Sequence, residues 1–398
     1  MRIVFLNPSG ALGGAETALL EVLACLREAR PSWNLNVVAS APGPLIERTS
    51  GLGISSTSLT FPASLARLGE WGQRGSAIAR VQLWIGAACA VPPVFAYGVR
   101  LRRHLAAIDP DVVHTNGLKM HLLGSWCRPR RAKVVWHLHD YPDLRPLTAK
   151  LLSASCSRCA AAIANSNSVT EHTRRLVGPR VPVHTVHNAV DLNRFHPSGP
   201  VLDLDNLAGL PPLDPGGIRI GLVGTFARWK GHDVFLHALS RVKAAVPIRG
   251  YVIGGPIYET DASQYSIAEL QTLAKAAGPD HVVGFTGPVS DVPSALRALD
   301  IVVHASIEPE PFGLVIAEAM ACGRPLVVSK AGGAAEIAQE GAVFHQPGNA
   351  DDLASCLSQL ASSPTLRNGL GAAGREAAAR LFSRQRLASS LIPIYESL

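Results

Sequence analysis

The chain has 398 residues, more than one hydrophobic core ordinarily organises, and length alone suggests two domains of roughly 200 residues each. Hydrophobic residues make up 47% of it and charged residues 17%, which excludes extensive disorder, and seven cysteines dispersed over so long a chain argue against a disulfide framework and for a reducing cytosol. The formal charge of +7 suits anionic partners such as nucleotide sugars, acidic lipid headgroups or nucleic acid, and no motif that reads RNA or DNA selects the last.

Arg2 to Leu6 reads as a strand, followed at once by Pro8, Ser9 and Gly10 instead of the sustained apolar stretch of a secretory signal. Gly13-Gly14-Ala15-Glu16 then precedes a helix from Thr17 to Arg27. Adjacent glycines let the backbone approach a ligand, and a helix start offers N–H groups to phosphate. Such loops are as often plain turns, and the full G-x-G-x-x-G fingerprint is absent. A second strand is expected over Asn34 to Ala39.

Val81 to Val99 is apolar and about as long as a membrane span, but Pro92-Pro93 in its middle predicts a buried or partly buried helix with a break. Arg67, Arg74, Arg80, Arg100, Arg102 and Arg103 surround it. They suit reversible contact with an anionic membrane, and equally a solvated basic face.

Val112 to His114 and Val134 to His137 are further strands, and their alternation with helices implies parallel βαβ units. After the first, Thr115, Asn116, Lys119 and His121 suit hydroxyl or phosphate contacts, or an ordinary polar loop. At the end of the second, His137 and His139 share a face because strand residues two apart do. His137 reads as a satisfied core histidine. Cys156 and Cys159 have zinc or redox spacing, yet no second Cys or His pair stands at a finger-like distance, so they read as helical cysteines. His196 to Gly217, rich in Pro, Gly, Leu and Asp, is expected to be a linker.

The alternation restarts at Ile218 to Gly224. Arg228, Trp229, Lys230 and Gly231 follow, placing two cations where a parallel sheet receives ligands. A helix over Val234 to Val246, a strand over Arg249 to Ile253, a helix over Ile267 to Ala277 and a strand near Val282 to Phe285 come next. Asp300 to Ala305 is a short buried strand, and Leu314 to Cys322 a helix stopped by Gly323. Between them lies Glu310-Pro-Phe312-Gly313-Leu314, and Glu318 follows about two turns along the helix. The helix start suits a diphosphate and the two acids suit sugar hydroxyls, although Glu318 alone reads equally as a solvated helix residue. Leu366 to Leu398 is expected to be largely helical.

The Glu310 to Glu318 run, with Gly332-Gly333 and Glu336 downstream, resembles the donor-site signature of retaining glycosyltransferases of the GT-B fold, particularly glycosyltransferase family 4. The resemblance implies an α/β fold of two Rossmann-like doubly wound domains facing a central cleft. Residues 1–195 would bind the acceptor, 196–217 link, 218–380 bind the nucleotide sugar, and 381–398 form a helix crossing back. It implies that Glu310 faces the transferred sugar and Glu318 holds the ribose, with Phe312, Gly313 and Leu314 at the phosphate-binding turn. Gly13 and Gly14 match the family loop between donor diphosphate and acceptor, and His139, followed by Asp140, matches the histidine at the reaction centre. Arg228 and Lys230 resemble the phosphate clamp, with one departure: the family commonly carries Arg where this chain has Thr225. Either Arg228 supplies that charge from another backbone position, or Lys230 and the helix near Leu314 hold the phosphate. The segment Val186 to Phe195 matches a hallmark read as structural, and Gly287 to Asp291 is expected beside the base.

The implied reaction moves a sugar from a UDP- or GDP-linked donor to a glycan or lipid-linked glycan acceptor with retained configuration. It uses no cofactor and no metal, and the expected location is the cytoplasm, peripherally at the inner membrane face. Asp109-Pro-Asp111 and Asp203-Leu-Asp205 match a D-x-D metal pattern, but neither stands at a catalytic strand end. Two rival readings are a nucleotide-sugar epimerase and a catalytically silent glycan-binding homologue.

Overall fold

The computed structural model describes residues 1–62, 77–144, 146–256, 263–278 and 283–398, without the side chains of residues 77–90. Arg67, Arg74, Val282 and the side chain of Arg80 lie outside the described residues. Residues 1–186 and 387–398 form one compact unit, and residues 187–386 form another.

In the first unit, β1 (Arg2–Asn7), β2 (Asn34–Ala39), β3 (Ser55–Ser58), β4 (Val112–Asn116), β5 (Lys133–Leu138), β6 (Ala161–Ala164) and β7 (Val183–Thr185) make a parallel sheet ordered β3-β2-β1-β4-β5-β6-β7. Ile3, Val4, Phe5 and Leu6 are all fully buried, as a strand covered by helices on both faces requires. The strand order reverses between β1 and β4. Open parallel sheets bind ligands at such a reversal, beyond the carboxyl ends of the strands. The loops that follow β1 and β4 therefore stand where this sheet would receive a ligand.

Helix α1 (Gly14–Ala29) follows β1, and α2 (Pro44–Gly51) follows β2. Helix α3 runs unbroken from Ala77 to Ile108 with Pro92 and Pro93 inside it, so the expected break is corrected. Its second half is pinned by Tyr97, Leu101 and Leu105, all buried in the sheet-facing core, and that anchorage outweighs the local cost of the prolines. Helices α4 (Leu118–Cys127), α5 (Pro146–Ser155) and α6 (Asn167–Val177) complete the crossovers. Cys156 lies on a 3-10 turn and Cys159 just beyond it, instead of on a helix. Tyr395, near the C-terminus, is buried in this unit and its hydroxyl lies 2.8 Å from His114 Nδ1.

In the second unit, β8 (Ile218–Val223), β9 (Ile248–Ile253), β10 (Val283–Gly287), β11 (Ile301–His304), β12 (Leu326–Ser329) and β13 (Ala342–His345) make a parallel sheet ordered β10-β9-β8-β11-β12-β13. Here the order reverses between β8 and β11. Residues 196–217 pack into this unit. Asp205 is buried there and bonded to Arg219, Arg249 and the Tyr251 hydroxyl, so its carboxylate is a fastener within the fold. The helix expected to reach Val246 stops at Leu239, because the N–H groups of Arg241 and Val242 turn back to carbonyls three residues away, ahead of Pro247.

Candidate active site

The reversal in the second unit brings together the two loops that the sequence marks. After β8 the chain makes a 3-10 turn, Arg228–Lys230, and Gly231 follows with φ +69°. A β-carbon on Gly231 would stand 2.0 Å from the carbonyl oxygen of Ala305, so only glycine lets this loop lie against the end of β11. The Ile307 N–H donates to the Trp229 carbonyl at 2.8 Å and stitches the two loops together. Lys230 is thereby aimed across the seam.

Lys230 Nζ donates to Glu310 Oε2 at 2.6 Å. The same oxygen accepts from Ser306 Oγ at 3.1 Å and lies 3.2 Å from His304 Nε2, which is also 3.0 Å from Ser306 Oγ. Ser306 gives its single proton to the carboxylate, so His304 Nε2 must carry a proton to bond either neighbour. Burial pushes the Glu310 carboxyl up, but the Lys230 charge and the His304 hydrogen bond outweigh it and hold the group at about 2. Glu310 is an anion at neutral pH. The Glu310 carbonyl accepts from the Gly333 N–H at 2.7 Å, so the downstream Gly-Gly turn fixes the loop from its other side.

Three residues beyond Glu310, Gly313 takes φ +81° and starts α7 (Leu314–Ala321) without a side-chain cap. A β-carbon at Gly313 would approach Ile316 Cδ1 to 2.7 Å. Apart from the Ile316 N–H, which donates to the Gly313 carbonyl at 2.9 Å, the N–H groups of that first turn carry partial positive charge and suit an anion. Leu314 supplies one of them. Phe312 is buried, its ring 5.8 Å from that of Phe382, so its side chain belongs to the core. Glu318 is half-buried on the same helix.

Arg228 is not part of this cluster. Its guanidinium donates to Glu269 at 2.8 Å and lies 4.2 Å over the Tyr265 ring. Of the two cations singled out in sequence, only Lys230 meets Glu310.

In the first unit, the Gly13 N–H donates to Glu16 Oε2 at 3.1 Å while Asn7 donates to Glu16 Oε1 at 3.0 Å. Glu16 therefore braces the glycine loop from behind, and Gly14 faces open space. His139 Nε2 stands 3.2 Å from Asn116 Oδ1, and burial lowers the imidazole to about 4, so the ring is neutral. Its Nδ1 is buried without a hydrogen-bond partner among the described residues. His137 is buried, with Nδ1 3.2 Å from His114 Nε2, and His121 Nδ1 lies 2.8 Å from Thr115 Oγ1. His114 and Thr115 on β4, His137 on β5 and His121 on α4 are thus committed to the interior.

Sequence reasoning passed over His304 and Ser306. The available signal was two polar residues at alternate positions where a buried strand ends, four and six residues before a singled-out acid.

The model for "Glycosyltransferase Family 4" matches residues 12–194 and that for "Glycosyl transferases group 1" matches residues 211–377. Spore coat protein SA of Bacillus subtilis is 29% identical over 266 residues, which are 62% of this chain and 68% of that protein. D-inositol 3-phosphate glycosyltransferase 2 of Catenulispora acidiphila is 33% identical over 249 residues, 58% of this chain and 55% of that protein. The chain thus spans between about half and two thirds of the length of these relatives. The crystal structure of Anabaena HepE in complex with UDP and glucose is similar over 100% of both chains, with a TM-score of 0.79 at 23% identity, a likeness of fold.

Proposed function

Because the chain belongs to the family 4 glycosyltransferases of the GT-B fold, we propose that it moves a sugar from a nucleoside diphosphate donor to an acceptor hydroxyl, with retained anomeric configuration. The observation that carries the reading is the Lys230–Glu310 pair, held beside an uncapped helix start at the strand reversal of the second unit.

Cleavage of the anomeric bond leaves negative charge on the diphosphate and positive charge on the sugar. Lys230 and the open N–H groups at Leu314 stabilise the first, which is the work a divalent metal would otherwise do. Glu310, ionised throughout the neutral range, stabilises the second and orients the sugar hydroxyls. Glu318 takes the ribose. In the first unit, the Gly13-Gly14 loop and neutral His139 serve the acceptor side, the imidazole as a hydrogen-bonding group and not a strong base. No cofactor enters this scheme. Arg228, engaged by Glu269, leaves the diphosphate to Lys230 and the helix.

The presence of UDP and glucose in the crystals of HepE supports trying a UDP-hexose first, with GDP-linked sugars next. The name of one relative, a lipopolysaccharide core biosynthesis mannosyltransferase of Rhizobium meliloti, supports a glycan or lipid-linked glycan acceptor of a bacterial envelope, and the basic residues Arg100, Arg102 and Arg103 support meeting it peripherally at the inner membrane face. Incubation with radiolabelled donors tests the proposal. Label appearing in product only when acceptor is added supports transfer; a changed donor sugar without acceptor indicates an epimerase, and an unchanged donor with every acceptor indicates a binding protein.

A further inference from the structure

The first unit exposes large apolar side chains on elements that touch one another. Phe95 on α3 is 73% exposed, Trp126 on α4 57%, and Leu147 on α5 67%, while Val91, Leu144 and Leu151 are also exposed. Helix α4 packs against both α3 and α5, so these side chains belong to one helical layer. Val91 and Phe95 stand four residues apart, as do Leu147 and Leu151, so each helix turns a single apolar stripe outward. Further along α3, Tyr97, Leu101 and Leu105 are buried in the core and anchor the helix. Trp126 is held in place: its indole N–H donates to Ser155 Oγ at 3.1 Å, and the Arg158 guanidinium lies 3.9 Å over its ring.

Charge on this layer is one-sided. None of α3, α4 and α5 contains an Asp or Glu. Arg100, Arg102 and Arg103 on α3, Arg130 and Arg131 after α4, Lys150 on α5 and Arg158 are all exposed. Apolar and aromatic tips bordered by cations, on three helices that carry no acid and with Asp140 and Asp143 confined to the turn before α5, complement a surface that is negative outside and apolar beneath. A second protein copy offers no such match, because it would bring the same positive charge to the contact. No described helix is long and apolar enough to cross a membrane, so the contact would lie on the surface.

We propose that the outer face of α3, α4 and α5 docks on an anionic phospholipid bilayer, with Phe95, Trp126, Leu147 and Leu151 entering the interface and the arginines meeting the headgroups. This gives the peripheral-membrane part of the proposed function a location and a lipid class, and rests on that reading. The test is co-sedimentation of the full chain with vesicles of phosphatidylcholine alone and of phosphatidylcholine mixed with phosphatidylglycerol. Binding should require the anionic lipid, weaken with added salt, and shift Trp fluorescence to the blue. The triple variant Phe95→Ser, Leu147→Ser, Leu151→Ser should lose about tenfold or more in vesicle affinity, and replacing Arg100, Arg102 and Arg103 by Gln should remove the lipid preference. Both variants should melt as the parent does and bind nucleotide sugar as it does, which separates failure of this surface from failure of the transferase reading. Equal binding to neutral vesicles, no binding, or unchanged binding by the triple variant would overturn the proposal. So would a concentration-dependent dimer that the triple variant abolishes.

Discussion

Lys230 Nζ and Glu310 Oε2 are 2.6 Å apart although 80 residues separate them in sequence, and both side chains are largely withdrawn from water. A buried ion pair contributes little net stability, but removing one partner strands the other. Lys230→Met or Glu310→Gln alone should each cost about 3–5 kcal/mol of stability. The double variant should recover most of that loss while remaining inactive. A thermal-melt cycle beside a transfer assay checks this, and additive losses in stability would show that the two groups do not depend on each other.

Arg228 and Lys230 are two residues apart but have different partners. Arg228 lies on a half-exposed ion pair of the kind worth little. Arg228→Ala should therefore change donor affinity by less than about threefold, whereas Lys230→Ala should weaken it by about tenfold or more. Titration of each variant with UDP distinguishes them.

Gly231 sets the approach of the lysine loop to β11. Gly231→Ala drives a β-carbon into the Ala305 carbonyl and places alanine at φ +69°. Stability should fall by more than about 1 kcal/mol, and donor affinity should fall with it because Lys230 is carried away from Glu310. A melting curve and a UDP titration on the same preparation read both effects.

Acid should weaken the fold well before the carboxylates titrate. Burial lowers His114 and His121 to about 3 and His139 to about 4, whereas in the unfolded chain each takes up its proton near 6.5. The unfolded state therefore binds more protons below that value. The stability these neutral rings contribute is fully present above pH 6.5 and is lost as pH falls toward 4, at about 1.4 kcal/mol per histidine per pH unit. Glu310 acts lower, its contribution being lost only as pH falls from 4.5 toward 2. Denaturant melts at pH 7.5, 6.5 and 5.5, values spanning about a unit either side of the ordinary histidine pKa, should show stability falling about three times as much over the second step as over the first.

Periodicity and punctuation carried most of the fold. The strand at Asn34–Ala39 and the helix at Ile267–Ala277 have the bounds their sequence suggests, because apolar runs and a Ser266 cap act locally. Pro92-Pro93 misled because the packing of Tyr97 and Leu101 is a tertiary effect that no local rule contains. At the site, Glu310, Lys230 and Gly313 were legible as residue types beside strand ends. That Ser306 and His304 share an oxygen with Lys230, and that Arg228 turns to Glu269 and Tyr265, depends on loop paths set by contacts distant in sequence.

Isothermal titration of the full chain with UDP-glucose and GDP-mannose, repeated on Lys230→Ala and on Phe95→Ser as a surface control, tests the central claim most directly. The account predicts saturable binding of at least one nucleoside diphosphate sugar, weakened about tenfold or more in Lys230→Ala and unchanged in Phe95→Ser. Equal affinity in the parent and Lys230→Ala, or no binding of either donor, would contradict it.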